Sequence, residues 1–162
     1  NNNTFNLQIF LNNNCKNAMN IGDFIKSLKI TMEDLNYSRL NGKIEGVSKI
    51  LIKGLTNLEE TDRPVHCTDE SNNVLFIKDN DKWDKDIDNN ILEESITKVE
   101  KAEQKILAST WEENHPNWME DEDLQQEYLD IVKNTMTLMS STEKKKVIGN
   151  VSKIVKLKEK TS

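Results

Sequence analysis

The chain has 162 residues, of which 35% are apolar and 31% charged, with a formal net charge of −6. That length can bury the core of one domain, but an apolar share below the globular average of about 45–50% calls for an elongated fold or unfolded ends. A net negative charge argues against binding nucleic acid over the whole surface, and no stretch nears the ~20 apolar residues of a membrane span.

The charge is unevenly placed. Residues 140–162 hold seven Lys against two acids, a net +5, which leaves −11 on residues 1–139. An anion-binding face would therefore belong to the C-terminal region. Cys15 and Cys67 lie in unlike contexts, so they make no disulfide framework and fit a reducing compartment. The N-terminus lacks the basic start and apolar core of a signal peptide, and secretion is not expected. A start at Asn1-Asn2-Asn3 without Met fits a fragment of a longer protein, or a processed or trimmed start.

Residues 1–20 are rich in Asn and carry the short run Phe5-Asn6-Leu7-Gln8-Ile9-Phe10-Leu11, which reads as an edge strand or a linker. From residue 21 to 35, Phe24, Ile25, Leu28, Met32 and Leu35 recur at helical spacing in two pieces, the second capped by Thr31 with Glu33 and Asp34 in its first turn. Gly42 and Gly46 bracket a turn at Lys43-Ile44-Glu45. Val47, Ile50, Leu51, Leu55 and Leu58 then form the stripe of a core-facing helix, which Pro64 and the residues behind it stop.

Residues 65–68 and 74–78 read as two strands joined by the polar Asp69-Glu70-Ser71-Asn72-Asn73, with Asp79-Asn80-Asp81 closing the hairpin. Two strands alone are marginal, so the hairpin must pack on a helix or a third strand. Three helices follow. Leu92, Ile96, Val99, Ile106 and Trp111 line the first, which ends at His115-Pro116. The second starts after Glu120-Asp121-Glu122-Asp123 and buries Leu124, Tyr128, Ile131, Val132, Leu138 and Met139. Ser140 and Glu143 have capping-box spacing at the start of the third, a basic amphipathic helix over residues 140–162. The expected fold is mainly α with a small β-hairpin (α+β), helices packed around a two- or three-stranded antiparallel element within residues 21–139.

The block Asp62 to Trp83 gathers the side chains with most chemical capacity. His66 and Cys67 are good zinc ligands, but strand neighbours point to opposite faces and no second ligand pair is spaced to complete a site. No metal and no cofactor are expected. Cys67 with His66 or His115 raises thiol catalysis, with Asp69 as orienter, yet no oxyanion turn accompanies them. A calcium loop starting at Asp79 fails at its sixth and twelfth positions, Asp84 and Asn90. Trp83, Trp111 and Trp118 sit among acids and read as anchors at the edge of the core rather than base-stacking platforms. Lys144, Lys145 and Lys146 oppose the dipole of their helix, which marks them, with Lys153, as the candidate anion-binding residues.

Arg63-Pro64-Val65-His66-Cys67-Thr68-Asp69, Leu75-Phe76-Ile77-Lys78-Asp79 and Lys82-Trp83-Asp84-Lys85-Asp86 resemble a family of uncharacterised proteins of large nucleocytoplasmic DNA viruses. The resemblance extends through Ile21-Gly22-Asp23-Phe24-Ile25, Gly42-Lys43-Ile44-Glu45-Gly46 and Trp111-Glu112-Glu113-Asn114-His115-Pro116. It implies a domain that often follows a zinc-finger-like segment, and a place in the host cytoplasm or the virion. It transfers no catalytic residue. Relatives tend to carry a basic pair shortly after the motif's Asp, where this chain has Glu70-Ser71-Asn72.

The expectation is a non-enzymatic viral interaction module, with a protein partner or second copy, and nucleic acid bound through the C-terminal helix or a segment preceding residue 1. The alternatives are a structural virion or oligomeric scaffold protein and a thiol-dependent enzyme. Within the motif, Arg63 is expected to pair with an acid such as Asp69 or Asp84, His66 to hydrogen-bond, and Cys67 and Trp83 to pack. Any function of the block should lie on a face shared by Arg63, His66 and Lys78.

Overall fold

The computed structural model describes residues 6–157. Its helices are α1 (Leu7–Ile9), α2 (Ile21–Ser27), α3 (Met32–Asn41), α4 (Lys43–Thr56), α5 (Asn90–Asn114), α6 (Glu122–Met136) and α7 (Ser141–Ile154). Between α4 and α5 run the strands β1 (Val65–Asp69), β2 (Val74–Asp79) and β3 (Lys82–Lys85), an antiparallel sheet in that order. The expected mainly α fold with a small antiparallel β element is what forms. The third strand exists because Asn80 and Asp81 both take positive φ, 50° and 64°, which turns the chain tightly between Asp79 and its partner Lys82.

The sheet has two buried faces. Val65, Cys67, Leu75 and Ile77 point into the main core, against residues of α2, α4, α5 and α7 such as Phe24, Leu51, Ile96 and Ile148. Trp83 points the other way, into a second cluster with Phe10, Leu11, Cys15, Ala18 and Leu157, against which Phe76 packs. A third cluster joins Leu35 of α3, Leu107 and Trp111 of α5, and Ile131 of α6.

Residues 1–20 were expected to be a linker or an edge strand. Residues 1–5 lie outside the described part. Beyond them, α1 is capped by the Asn6 side chain and runs into a wide π-helical turn, Phe10–Asn14. The decisive spacing is Leu7, Phe10, Leu11, Cys15 and Ala18, helical rather than alternating, which lays one apolar side on the sheet and leaves Asn12, Asn13 and Asn14 exposed.

The C-terminal helix also differs from expectation. Its capping box between Ser140 and Glu143 is present, but α7 stops at Ile154 and residues 155–157 run along the open edge of β1. There the Cys67 amide donates to the Val155 carbonyl at 3.0 Å and the Leu157 amide to the Cys67 carbonyl at 2.9 Å. An edge strand's unpaired amides and carbonyls favour that change of direction. Residues 158–162 lie outside the described part.

Gly42 and Gly46 do different work from the turn expected of them. Gly42, at φ 92°, is the whole junction between α3 and α4. Gly46 lies inside α4, where a Cβ would stand 2.5 Å from the Ser38 Cβ and 2.9 Å from its Cα. The start of α5 depends on buried Asp86, whose carboxylate oxygens accept from the amides of Ile91 at 2.9 Å and Leu92 at 3.0 Å. Burial pushes this carboxyl's pKa up, and those two amides pull it back.

Two glycine substitutions separate these roles. Gly46→Ala should force α3 and α4 apart and lower stability by ~1–3 kcal/mol. Gly149→Ala, in α7 with nothing within 4 Å of the added carbon, should instead gain about 0.5–1 kcal/mol from helix propensity. Denaturant unfolding of the two variants checks both signs.

Candidate functional site

Strand alternation places the motif's polar residues on opposite sides of the sheet. Fully buried His66 is enclosed by Trp83, stacked at 5.5 Å between ring centroids and 28°, and by the edge of Phe10 at 5.5 Å. Its Nε2 lies 3.6 Å from the Cys15 sulfur. The thiol beside the imidazole is therefore Cys15, brought in by the N-terminal segment, and not its sequence neighbour Cys67.

Cys67 faces the helices, hydrogen-bonded to Ser152, and burial raises its thiol pKa. Burial disfavours the thiolate there, and the side chain packs in the main core.

Lys78 and Trp83 are a cross-strand pair and share the His66 side of the sheet. The Lys78 ammonium is almost buried and donates to the carbonyls of Lys16 at 2.8 Å and Ala18 at 2.7 Å. Trp83 Nε1 donates to the Cys15 carbonyl at 3.2 Å. Asn20 closes the same segment by exchanging two hydrogen bonds with Asp81. The sheet thus holds the N-terminal segment by the carbonyls of Cys15, Lys16 and Ala18 and by the side chain of Asn20.

Arg63 does not join that face and does not pair with Asp69 or Asp84. Its Nε donates to the Leu55 carbonyl at 2.9 Å, in the last turn of α4, where the Leu58 amide donates to the same oxygen at 3.1 Å. Asp69 instead accepts from the backbone and side chain of Asn72 within the β1–β2 turn, and the Asn72 side chain is the main reason its pKa is lowered.

The lysine face is assembled by α4 and α7, which pack side by side. Lys144 is tied down, donating to the Thr97 hydroxyl at 2.6 Å, whereas Lys145, Lys146 and Lys153 are exposed. Lys153 lines a groove of about 480 Å³ together with Lys49 and Lys53 of α4, Tyr37, Ser48 and Asn150, with Glu45 as the acid on its wall. The Lys49 ammonium lies 4.0 Å over the Tyr37 ring. Lys146 precedes Lys153 by two turns on the same helical side. Lys49 and Lys53 escape sequence reasoning because their four-residue spacing marks only a solvated side of α4. Their meaning depends on α7 lying alongside.

A second feature is buried charge. Glu100 and Glu103 of α5 are 0% and 2% exposed, on the side that also carries Ile96, Leu107 and Trp111. Lys43 forms an ion pair with Glu100 Oε2 at 3.0 Å, and the Met139 amide donates to the same oxygen at 2.9 Å. Glu103 sits beside them with its pKa raised to about 7, chiefly by burial, against the pull of Lys43 and with the repulsion of Glu100 and Asp34. The helical stripe through residues 96, 100, 103, 107 and 111, at steps of three and four, passes through both acids.

Lys78→Ala should take the donor from the Lys16 and Ala18 carbonyls, the second of them buried, lower stability by about 1–3 kcal/mol, and open residues 6–20 to protease at concentrations that spare the native chain. Neither Cys15 nor Cys67, both 0% exposed, should react with an aromatic disulfide reagent at neutral pH faster than the chain unfolds. Comparison with family models, with curated proteins and with solved structures found no match to this chain.

Proposed function

We propose that the chain is a non-enzymatic interaction module that binds nucleic acid through the groove between α4 and α7. The observation that carries this reading is the convergence of Lys49, Lys53 and Lys153 on one groove with a single acid on its wall, in a chain whose net charge is −6. Concentrating cations on one side of an acidic protein directs a polyanion to that side and repels it elsewhere. The exposed Lys145 and Lys146 extend the same field along α7.

The resemblance to proteins of large nucleocytoplasmic DNA viruses fits a role in a nucleic-acid-associated assembly in the host cytoplasm or the virion. The absent basic pair at Glu70-Ser71-Asn72 is compatible with contacts made on the helices instead. No described helix is long and apolar enough to cross a membrane. The burial of Cys67 weighs against the thiol-dependent enzyme.

A scaffold reading has one observation in its favour. Leu129 and Met136, seven residues apart on α6, are 60% and 54% exposed, an apolar strip on which a second copy would fit. Light scattering separates the readings, since a strictly monomeric species removes the scaffold.

Duplex DNA titrated at several salt concentrations should bind with log K falling linearly in log salt. Lys49→Ala and Lys153→Ala should each reduce that slope by about one and weaken binding evenly across sequences. Affinity that is absent, or present without a salt slope, would sink the reading.

A further inference from the structure

Lys43 is short of donors for the acids around it. Its ammonium pairs with Glu100 Oε2 at 3.0 Å and donates to the carbonyls of Thr135 at 3.1 Å and Thr137 at 2.7 Å. Those three contacts use all three of its hydrogens, and none reaches Glu103. One oxygen each of Glu100 and Glu103 is buried without a hydrogen-bond partner. The contacts that Lys43 does make fasten the end of α6 and the start of the link to α7. Gln104 adds a bond to the Thr135 carbonyl at 3.3 Å, and the Met139 amide completes the junction by binding Glu100.

We propose that Lys43, Glu100 and Glu103 form a proton-operated latch on the α6–α7 junction: a proton on Glu103 keeps the end of α6 seated on α5, and its loss releases that end. With the proton in place, one lysine balances one carboxylate. Without it, two carboxylates share one lysine, and Asp34 of α3 adds a third negative charge nearby. Lys43 faces Glu103 from α4 and Glu100 from its own helix, while α6 turns only uncharged Ile131 and Thr135 fully inward.

Admitting water is the cheapest relief for a buried carboxylate lacking a counter-ion. The α6 cover gives way most easily, because it buries only those two residues completely. The sign follows from the raised pKa. Native Glu103 holds its proton more tightly than the unfolded chain does, so this stabilisation is complete below about 4.5 and is lost as pH rises towards about 7.

Amide hydrogen exchange, corrected for its intrinsic pH dependence, tests the latch. Between about pH 5.5 and about pH 8, amides at the end of α6 and at Met139 should lose about tenfold or more of their protection relative to α4. Glu103→Gln should keep the acid-side protection at the higher pH. The same pH profile in both proteins, or a loss spread equally over α4 and α5, would overturn the proposal.

If the glutamine variant fails to fold, carbon-detected NMR titration of Glu103 in the unaltered chain decides. A midpoint near 7 that coincides with shifts in the Thr135 and Met139 amides supports the latch. A midpoint in the ordinary carboxylate range overturns it.

Discussion

A three-stranded sheet of fifteen residues, five, six and four in its strands, has apolar side chains on both faces and cannot stand alone. Everything else in the fold follows from covering it twice. Helices α2, α4, α5 and α7 take one face, and the segment from Asn6 to Asn20 takes the other. The free edge of β1 is a third demand, met by residues 155–157 through two backbone hydrogen bonds to Cys67. Sheet, N-terminal cover and C-terminal edge therefore form one cooperative unit. The α3–α5–α6 cluster around Trp111 is a separate packing arrangement built outward from the helices.

This division explains where the side chains of a block rich in His, Cys, Lys and Trp go. A polar side chain under a cover needs a partner, and the N-terminal backbone supplies carbonyls for Lys78 and Trp83. The groove and the buried acids lie elsewhere, on helices that the motif meets at other points, as with Cys67 on Ser152 and Arg63 on Leu55. Chemical capacity in the sequence and accessibility in the fold thus fall on different residues.

The helices were legible where the signal is local. Thr31 caps α3 and Ser140 with Glu143 forms the capping box its spacing implies, whereas α4 ends at Thr56, well before the Pro64 expected to stop it. The strands were legible from β-branched and aromatic runs, but β3 was missed because Lys82-Trp83-Asp84-Lys85 carries only one apolar residue. What escaped depends on contacts distant in sequence. The Cys15–His66 contact spans 51 residues, and the Lys43–Glu100 pair joins two helices. Gly46 looks like a turn until Ser38 is seen against it. The basic groove was half legible, since Lys153 and its neighbours stood out by charge while Lys49 and Lys53 acquired meaning only from α7 at their side.

Leu157 shares its apolar cluster with Phe10, Leu11 and Cys15, so the two ends of the described chain meet on one side of the sheet. Closing a contact across nearly the whole chain is entropically slow and comes late. During synthesis the cluster on the outer face of the sheet then stays incomplete until Leu157 has been made, although Phe10, Cys15 and Trp83 are available to His66 earlier. The same proximity makes residues 6–157 a candidate for circular permutation, with a short bridge between the neighbourhoods of Leu7 and Leu157 and a new opening at an exposed turn such as Asn80-Asp81.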